Sequence, residues 1–481
     1  MELNSRDAEA IETAVSIDRF RIFEFDTARR KWRRSGALRL RAHAVAFVLA
    51  VFVLVAQAIG SPAVSAQTAS SAAHLQQLLD QHNYVEFAQE LPHATGLTPD
   101  QQNYFNGVLA YREGRFGNDD VVKPLVSAVN AKTSALSANQ VESALEILGL
   151  NAAKTYHYAT SAQMYQDIDV AFGAAMGNTV KPIRERRHIA VLLLKVPPQT
   201  VDISGDFSLK KTADGYPISI GGKMFSAGLD TGAAISVVSE STAARWGLTT
   251  LDGTATLHGY GSGTFQAHPA VIPVLQIGKA ELHNVVVMVT ADQNLYIPEI
   301  KLQFNALLGY PVASALGRLT FSKDGTLTVS AQSPAPGQEN GAALWVGDSF
   351  LLASVNTMPI FERGKVTGSN GTRLFVLDTG SGSSYLTDRY LAEHTNVFTG
   401  QPSDVARLAG PGGIREIAAY TAHHLPLWFG STLVLCSGPH VLTQTQGGEA
   451  EAYYGLIGQD VLQVFSSYTI DLRTMTFSVN P

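Results

Sequence analysis

Two aspartates in this 481-residue chain have neighbours suited to acid–base chemistry. Asp230 sits in "FSAGLDTGAAISVVSE", Phe225 to Glu240, and Asp378 in "LFVLDTGSGSSYLT", Leu374 to Thr387. In each stretch an apolar run delivers one carboxylate to a cluster of glycine, hydroxyl and small side chains. An Asp-Gly-type turn explains either aspartate alone. By ordinary residue frequencies an Asp-Thr-Gly tripeptide arises by accident in roughly one chain in ten of this length. Two copies need a shared cause.

Two adjacent carboxyls that share one proton can act together on a peptide bond. One takes a proton from a water, and the other gives a proton to the carbonyl oxygen as the tetrahedral centre forms. At contact distance, with an effective dielectric near 20, two negative charges repel by about 4 kcal/mol. That is roughly three pKa units, so the second ionisation is suppressed. Such a pair titrates jointly, and the sequence leaves the proton on either residue.

The surroundings of the two aspartates are in register. After Asp230 come Gly261 and Gly263 in "HGYGSGTF", then Gly309 in "ALLGYPV", 79 residues on. After Asp378 come Gly410 and Gly412 in "AGPGGIRE", then Gly458 in "GLIGQDVL", 80 residues on. Each half closes on similar strands, "LTFSKDGTLTVS" and "SSYTIDLRTMTFSV". An internal repeat of this kind marks two copies of one structural unit.

On these motifs the region from about Thr200 to Pro481 resembles the pepsin and retropepsin superfamily of aspartic proteases, as a bacterial-type two-lobed member. Asp230-Thr231-Gly232-Ala233 is similar to the retroviral form of the signature, and Asp378-Thr379-Gly380-Ser381 to the pepsin form. The resemblance implies an all-β bilobal region in which each lobe supplies one aspartate to a cleft that binds peptide or protein. It implies that Thr231 and Thr379 lock the two loops together and that Gly232, Gly380 and Ser381 support the dyad. It also implies an aspartic endopeptidase needing neither cofactor nor metal; an inactive peptide-binding module is the alternative. Tyr260 and Gly261 are candidates for a flap over bound peptide, or else for a plain tight turn. Gly309 and Gly458 are expected to let a strand pass close behind each aspartate loop. Two departures stand out: Ala233 replaces a hydroxyl, and no disulfide framework is present.

The elements that must position these residues follow from the texture of the chain. Residues 67–190 carry apolar side chains at three- and four-residue spacing, which predicts helices. Gly107, Ala110, Tyr111 and later Gly149, Ala152, Tyr156 suggest tetratricopeptide-like hairpins that bind a protein partner, or a small bundle without repeats. From residue 198 on, short β-branched runs broken by glycine and asparagine predict an all-β region. "AQSPAPGQENGA", Ala331 to Ala342, divides it into a first lobe, 198–330, and a second, 343–481. The run "KPIRERRH", Lys181 to His188, is either a solvated linker or an inhibitory segment lying across an acidic cleft. "IAVLLLKV" after it is expected to be a strand.

Composition narrows the partners. With 45% hydrophobic and 16% charged residues the chain can build two or three cored domains. A net charge of −6 gives no basic field to attract nucleic acid or an anionic membrane. Cys436 is the sole cysteine, which excludes an intramolecular disulfide and a cysteine-based metal cluster. "AHHL", at His423 and His424, suggests a metal by residue type but reads as solvent-facing or packing histidines, because adjacent residues of a strand point to opposite faces. "GYGSG" is no phosphate loop and "GSGSSYL" no serine-hydrolase elbow. Residues 1–66 hold a basic stretch, an apolar run from Ala44 to Ala56 and small residues Val64 and Ala66. They read as a cytoplasmic n-region with a signal peptide cut after Ala66, as the same signal with a start site placed too far upstream, or as an uncleaved anchor that would tie the protein to the membrane. Either way the remainder is expected to be exported, to the periplasm or beyond.

Overall fold

A computed structural model describes residues 64–131, 134–259, 263–335, 341–357, 360–362, 365–367, 371–422, 425–436, 438–444 and 449–481. Tyr260, Gly261, His423 and His424 lie outside the described residues, as do 1–63 and the centre of the expected linker, 336–340. Among the described residues no helix is long and apolar enough to cross a membrane.

The described chain forms two compact units. One holds residues up to Leu78, Phe87–Tyr111 and Arg115–Val191; the other holds Leu79–Glu86, Arg112–Gly114 and Leu192–Pro481. The first unit is helical, and its main helices are drawn from Val64–Asp80, Pro99–Arg112, Ala138–Lys154, Tyr158–Met176 and Lys181–Leu192. Ala138–Lys154 starts at a capping box, in which the Ser137 hydroxyl accepts from the Gln140 amide while the Gln140 side chain accepts from the Ser137 amide. Small residues let its helices approach: a Cβ on Gly107 would stand 2.6 Å from Leu125, and one on Gly149 3.0 Å from the Tyr165 ring.

The expected strand "IAVLLLKV" is a correction. Its start is the end of helix Lys181–Leu192, and residues 193–195 form a turn. Pro182 stands in the first helical turn, where a missing N–H costs nothing. Ile183 and Ala190, seven residues apart, bury one face. Arg184 pairs with Asp169 at 2.8 Å and Arg186 with Glu146, so these cations of the basic run are engaged within the helical unit.

The second unit is built of sheets. Its first half contributes β1 (Thr200–Ile203), β2 (Phe207–Lys210), β3 (Tyr216–Ile220), β4 (Lys223–Leu229), β5 (Ser236–Ser239), β6 (Ala255–His258), β7 (Thr264–Ile277), β8 (Ala280–Thr290), β9 (Ala306–Leu308), β10 (Arg318–Ser322) and β11 (Thr326–Ser330). The second half contributes β12 (Ala342–Val346), β13 (Leu351–Thr357), β14 (Gly371–Leu377), β15 (Tyr385–Leu386), β16 (Asp404–Gly410), β17 (Gly413–Thr421), β18 (His440–Leu442), β19 (Gly455–Ile457), β20 (Ser467–Asp471) and β21 (Thr476–Asn480). One sheet runs β1-β8-β5-β9-β4-β3-β7-β6. The other runs β2-β11-β10-β20-β21-β12-β13-β14-β19-β15-β18-β17-β16, with the hairpin Leu425–Phe429/Thr432–Cys436 attached at β13.

Two features of this order position the site. In the first half β9 lies between β4, its parallel partner, and β5, its antiparallel one. In the second half β19 lies in the same way between parallel β14 and antiparallel β15. The chain leaves β4 or β14 through an aspartate loop, and a later strand returns to fill the slot beside it. The second feature is the pairing of β10 with β20, which puts strands of both halves side by side, Arg318 opposite Asp471. There the fully buried Asp471 receives Arg318 Nη1 at 2.9 Å and the Ser333 hydroxyl at 2.9 Å. Core residues of both halves, such as Ile272, Leu308, Phe375 and Ile457, belong to one continuous apolar cluster.

Candidate active site

Both aspartates hang from the returning strands at corresponding points. The Asp230 amide donates to the Leu308 carbonyl at 2.9 Å, and the Asp378 amide to the Ile457 carbonyl at 3.1 Å. The glycine that follows each strand is pressed against the loop it supports. A Cβ on Gly309 would lie 2.5 Å from the Ala233 carbonyl oxygen, and one on Gly458 2.9 Å from that of Ser381. The Gly309 amide donates to Ser236 Oγ at 3.0 Å and the Gly458 amide to Ser384 Oγ at 2.8 Å. Ser236 and Ser384 each stand six residues after their aspartate; the sequence reading passed over them although their common offset is visible.

The threonines brace the loops across 148 residues of sequence. The Thr231 amide donates to Thr379 Oγ1 at 3.1 Å, and the Thr379 amide to Thr231 Oγ1 at 3.1 Å. Thr231 Oγ1 donates to the Leu377 carbonyl at 2.8 Å, while Thr379 Oγ1 donates to that of Leu229 at 3.1 Å. Each hydroxyl thus accepts from one loop residue and donates to the strand before the opposite aspartate. Both threonines are buried, so the four bonds are shielded from water.

The two carboxyls face the same point, each set against the opposite loop. The Gly232 amide donates to Asp230 Oδ1 at 2.8 Å; Asp378 Oδ1 receives the Gly380 amide at 2.8 Å and the Ser381 amide at 2.9 Å. Each carboxyl also packs on the glycine of the opposite loop. A Cβ on Gly232 would lie 2.5 and 2.7 Å from the Asp378 oxygens, and one on Gly380 would lie 2.5 and 2.7 Å from those of Asp230. Neither glycine has a positive φ. What each glycine supplies here is room for the partner's carboxyl. Ser381 acts through its amide, because its hydroxyl donates to the Ser383 carbonyl at 2.9 Å.

Residues 216–312, a stretch that contains Asp230 and Gly309, match the family described as aspartyl protease. That match covers 97 of the 481 residues and lies within the second unit. Among solved structures the chain is similar to a retropepsin-like aspartic protease from Rickettsia conorii, at 20% identity and a TM-score of 0.20. That match covers 26% of this chain and 98% of the other. A comparison with curated proteins gave no match.

The electrostatics of the pair follow from its packing. Each carboxyl keeps a partly exposed face while dense surroundings strip most of its solvation. Burial and then the neighbouring Asp378 charge push Asp230 well above the usual carboxylate range, against the pull of the Gly232 amide. Burial also raises Asp378, opposed by the Gly380 and Ser381 amides and by the hydrogen bond from Asp230. Among the described residues no cluster of three metal-ligating side chains occurs.

On either side of the glycine-rich stretch of the first half, β6 and β7 pair antiparallel and the Gly259 amide donates to the Gly263 carbonyl at 3.2 Å. The corresponding hairpin of the second half, β16–β17, turns at Pro411–Gly412. Its tip packs: the Gly412 amide donates to the Asn294 carbonyl at 3.0 Å. Cys436 is buried and its thiol pushed up to about 12, which leaves it inert.

Proposed function

We propose that this protein is an aspartic endopeptidase in which Asp230 and Asp378 activate one water between them. The observation that carries this reading is the pair of carboxyls, each packed on the glycine of the opposite loop, with the loops held by the reciprocal Thr231–Thr379 braces. One carboxylate takes a proton from the water as its oxygen bonds to the scissile carbon. The other carboxyl gives its proton to the carbonyl oxygen. As the tetrahedral centre collapses, the nitrogen takes a proton and leaves as the amine. The upward push on Asp230 keeps one proton on the pair above the ordinary carboxylate range, so both roles are filled in the same molecule.

In this reading, residues 198–330 and 343–481 are two lobes of one duplicated unit, each giving an aspartate to a cleft for extended peptide. Thr231, Gly232, Thr379, Gly380 and Ser381 support the pair, and Gly309 and Gly458 pack behind it. Tyr260 and Gly261 are offered as the flap. The helical region is read as a tetratricopeptide-like platform for a protein partner, and the catalytic region as exported. Purified protein incubated with an unfolded polypeptide between pH 3 and 7 tests the activity. Cleavage is expected, blocked by a pepstatin-like inhibitor and abolished by Asp230→Asn or Asp378→Asn. Absence of products across that range would refute hydrolysis and leave peptide binding.

A further inference from the structure

The halves differ at the two residues after the returning glycine, Tyr310 and Pro311 in the first and Gln459 and Asp460 in the second. Gln459 Nε2 donates to the Thr379 carbonyl at 2.7 Å. That carbonyl and the Gly380 N–H belong to one peptide group, and the Gly380 N–H donates to Asp378 Oδ1 at 2.8 Å. A hydrogen bond accepted at a peptide oxygen draws charge through the amide and makes its N–H a stronger donor. The backbone N–H of Gln459 also holds the Ser381 carbonyl at 2.9 Å, so one residue fixes the loop twice. Asp460 holds this segment in place: it accepts the Ser384 amide at 2.9 Å and the Ser384 hydroxyl at 2.6 Å, and that hydroxyl accepts the Gly458 amide. At the matched position of the first half stands Tyr310, whose amide donates to the Ala233 carbonyl at 2.8 Å but whose side chain has no amide group to make such a relay.

We propose that Gln459 is a positioning residue that polarises the Thr379–Gly380 peptide toward Asp378, so that in the singly protonated pair the charge rests on Asp378 and the proton on Asp230. This deepens the catalytic reading and rests on it. Asp378 then takes the proton from water, and Asp230 gives its own to the carbonyl oxygen. The groups acting on Asp378 are the Gly380 and Ser381 amides and Asp230; those acting on Asp230 are Asp378 and the Gly232 and Ala233 amides. Around Gln459 stand Tyr468 Oη at 3.4 Å, Gln463 at 3.3 Å and the adjacent Asp460. Tyr468 stays neutral at any working pH, since burial raises its phenol.

The test uses the whole protein, carbon-13 labelled at aspartate carboxyls, with the two signals assigned through Asp230→Asn and Asp378→Asn. In the wild type the Asp378 carboxyl should titrate below that of Asp230. In Gln459→Met, which keeps length and loses the donor, the Asp378 titration should move up by about half a pH unit. The acid limb of kcat/KM should move with it, lowering the rate on that limb about threefold, while the alkaline limb moves less. Where Gln459→Met does not fold, Gln459→Leu is read in the same way. An Asp378 titration that ignores the substitution, or a wild type in which Asp230 titrates first, overturns the proposal. Wild-type protein that cleaves nothing overturns the catalytic reading instead, and the carboxyl titrations still decide the place of the charge.

Discussion

Replacing Gly380 by alanine tests the geometry of the pair most directly. The new Cβ would stand 2.5 and 2.7 Å from the Asp230 oxygens, whereas heavy atoms at rest keep about 3.5 Å apart or more. Either the Gly380 loop or the Asp230 carboxyl must retreat by about 1 Å. Neither can do so freely, because the neighbouring Thr379 and Thr231 are tied by their reciprocal bonds. A misplacement of that size costs on the order of 100-fold in rate, and overpacking costs about 1–3 kcal/mol of stability. The fall should appear in kcat, since the carboxyls move relative to each other while the peptide subsites do not.

Gly382→Ala, two residues on, is the control. Nothing stands within 4 Å of its Cβ position and its φ is not positive, so both activity and stability should stay near wild type. Peptide cleavage gives kcat, and urea unfolding gives the stability. Gly380→Ala with kcat within about threefold of wild type and no loss of stability would refute the packing of carboxyl on glycine. An equal loss in Gly382→Ala would show instead that the loop tolerates no substitution for some other reason.

Three further outcomes are expected. Thr231→Val strands the buried Leu377 carbonyl and Thr379 amide, at about 1–3 kcal/mol for each group, whereas Thr231→Ser keeps both bonds; urea titrations giving both variants the same midpoint would contradict this. Asp230 has a raised pKa, so the folded state binds more protons than the unfolded one from the ordinary value of 3.8 up through the raised value, and stability falls as pH rises across that window. Asp230→Asn should therefore be inactive yet melt higher than wild type at neutral pH, with the gap closing toward acid; a lower melting point at pH 7 would count against it. Arg318→Met leaves buried Asp471 without its cation and should cost about 3–5 kcal/mol in urea, a loss under about 1 kcal/mol being the contrary result.

Much of the pair's setting was legible because topology fixes spacing. A strand that must return between β4 and β5, or between β14 and β15, brings its terminal glycine back at nearly the same offset in each half, and Gly309 and Gly458 stand at 79 and 80 residues. The purpose of Gly232 and Gly380 was not legible, because the atom that excludes a side chain belongs to a residue about 150 positions away. The sequence also misled at "IAVLLLKV", where an unbroken apolar run fits strand and helix alike. The deciding signals lay upstream, in Pro182 and the Lys181–Glu185 spacing at i,i+4.

Gln459 shows the deepest limit. Its side chain acts on a carboxyl it does not touch, through a peptide group whose two ends face different partners. In sequence it is an unremarked neighbour of a glycine, and only the differing residues at the matched position, tyrosine in one half and glutamine in the other, hint that the halves are not equivalent. A duplication makes the shared residues conspicuous and, by the same comparison, isolates the few that differ. Two carboxyls that must play opposite parts need such a difference, because identical surroundings would leave the proton with no preferred side.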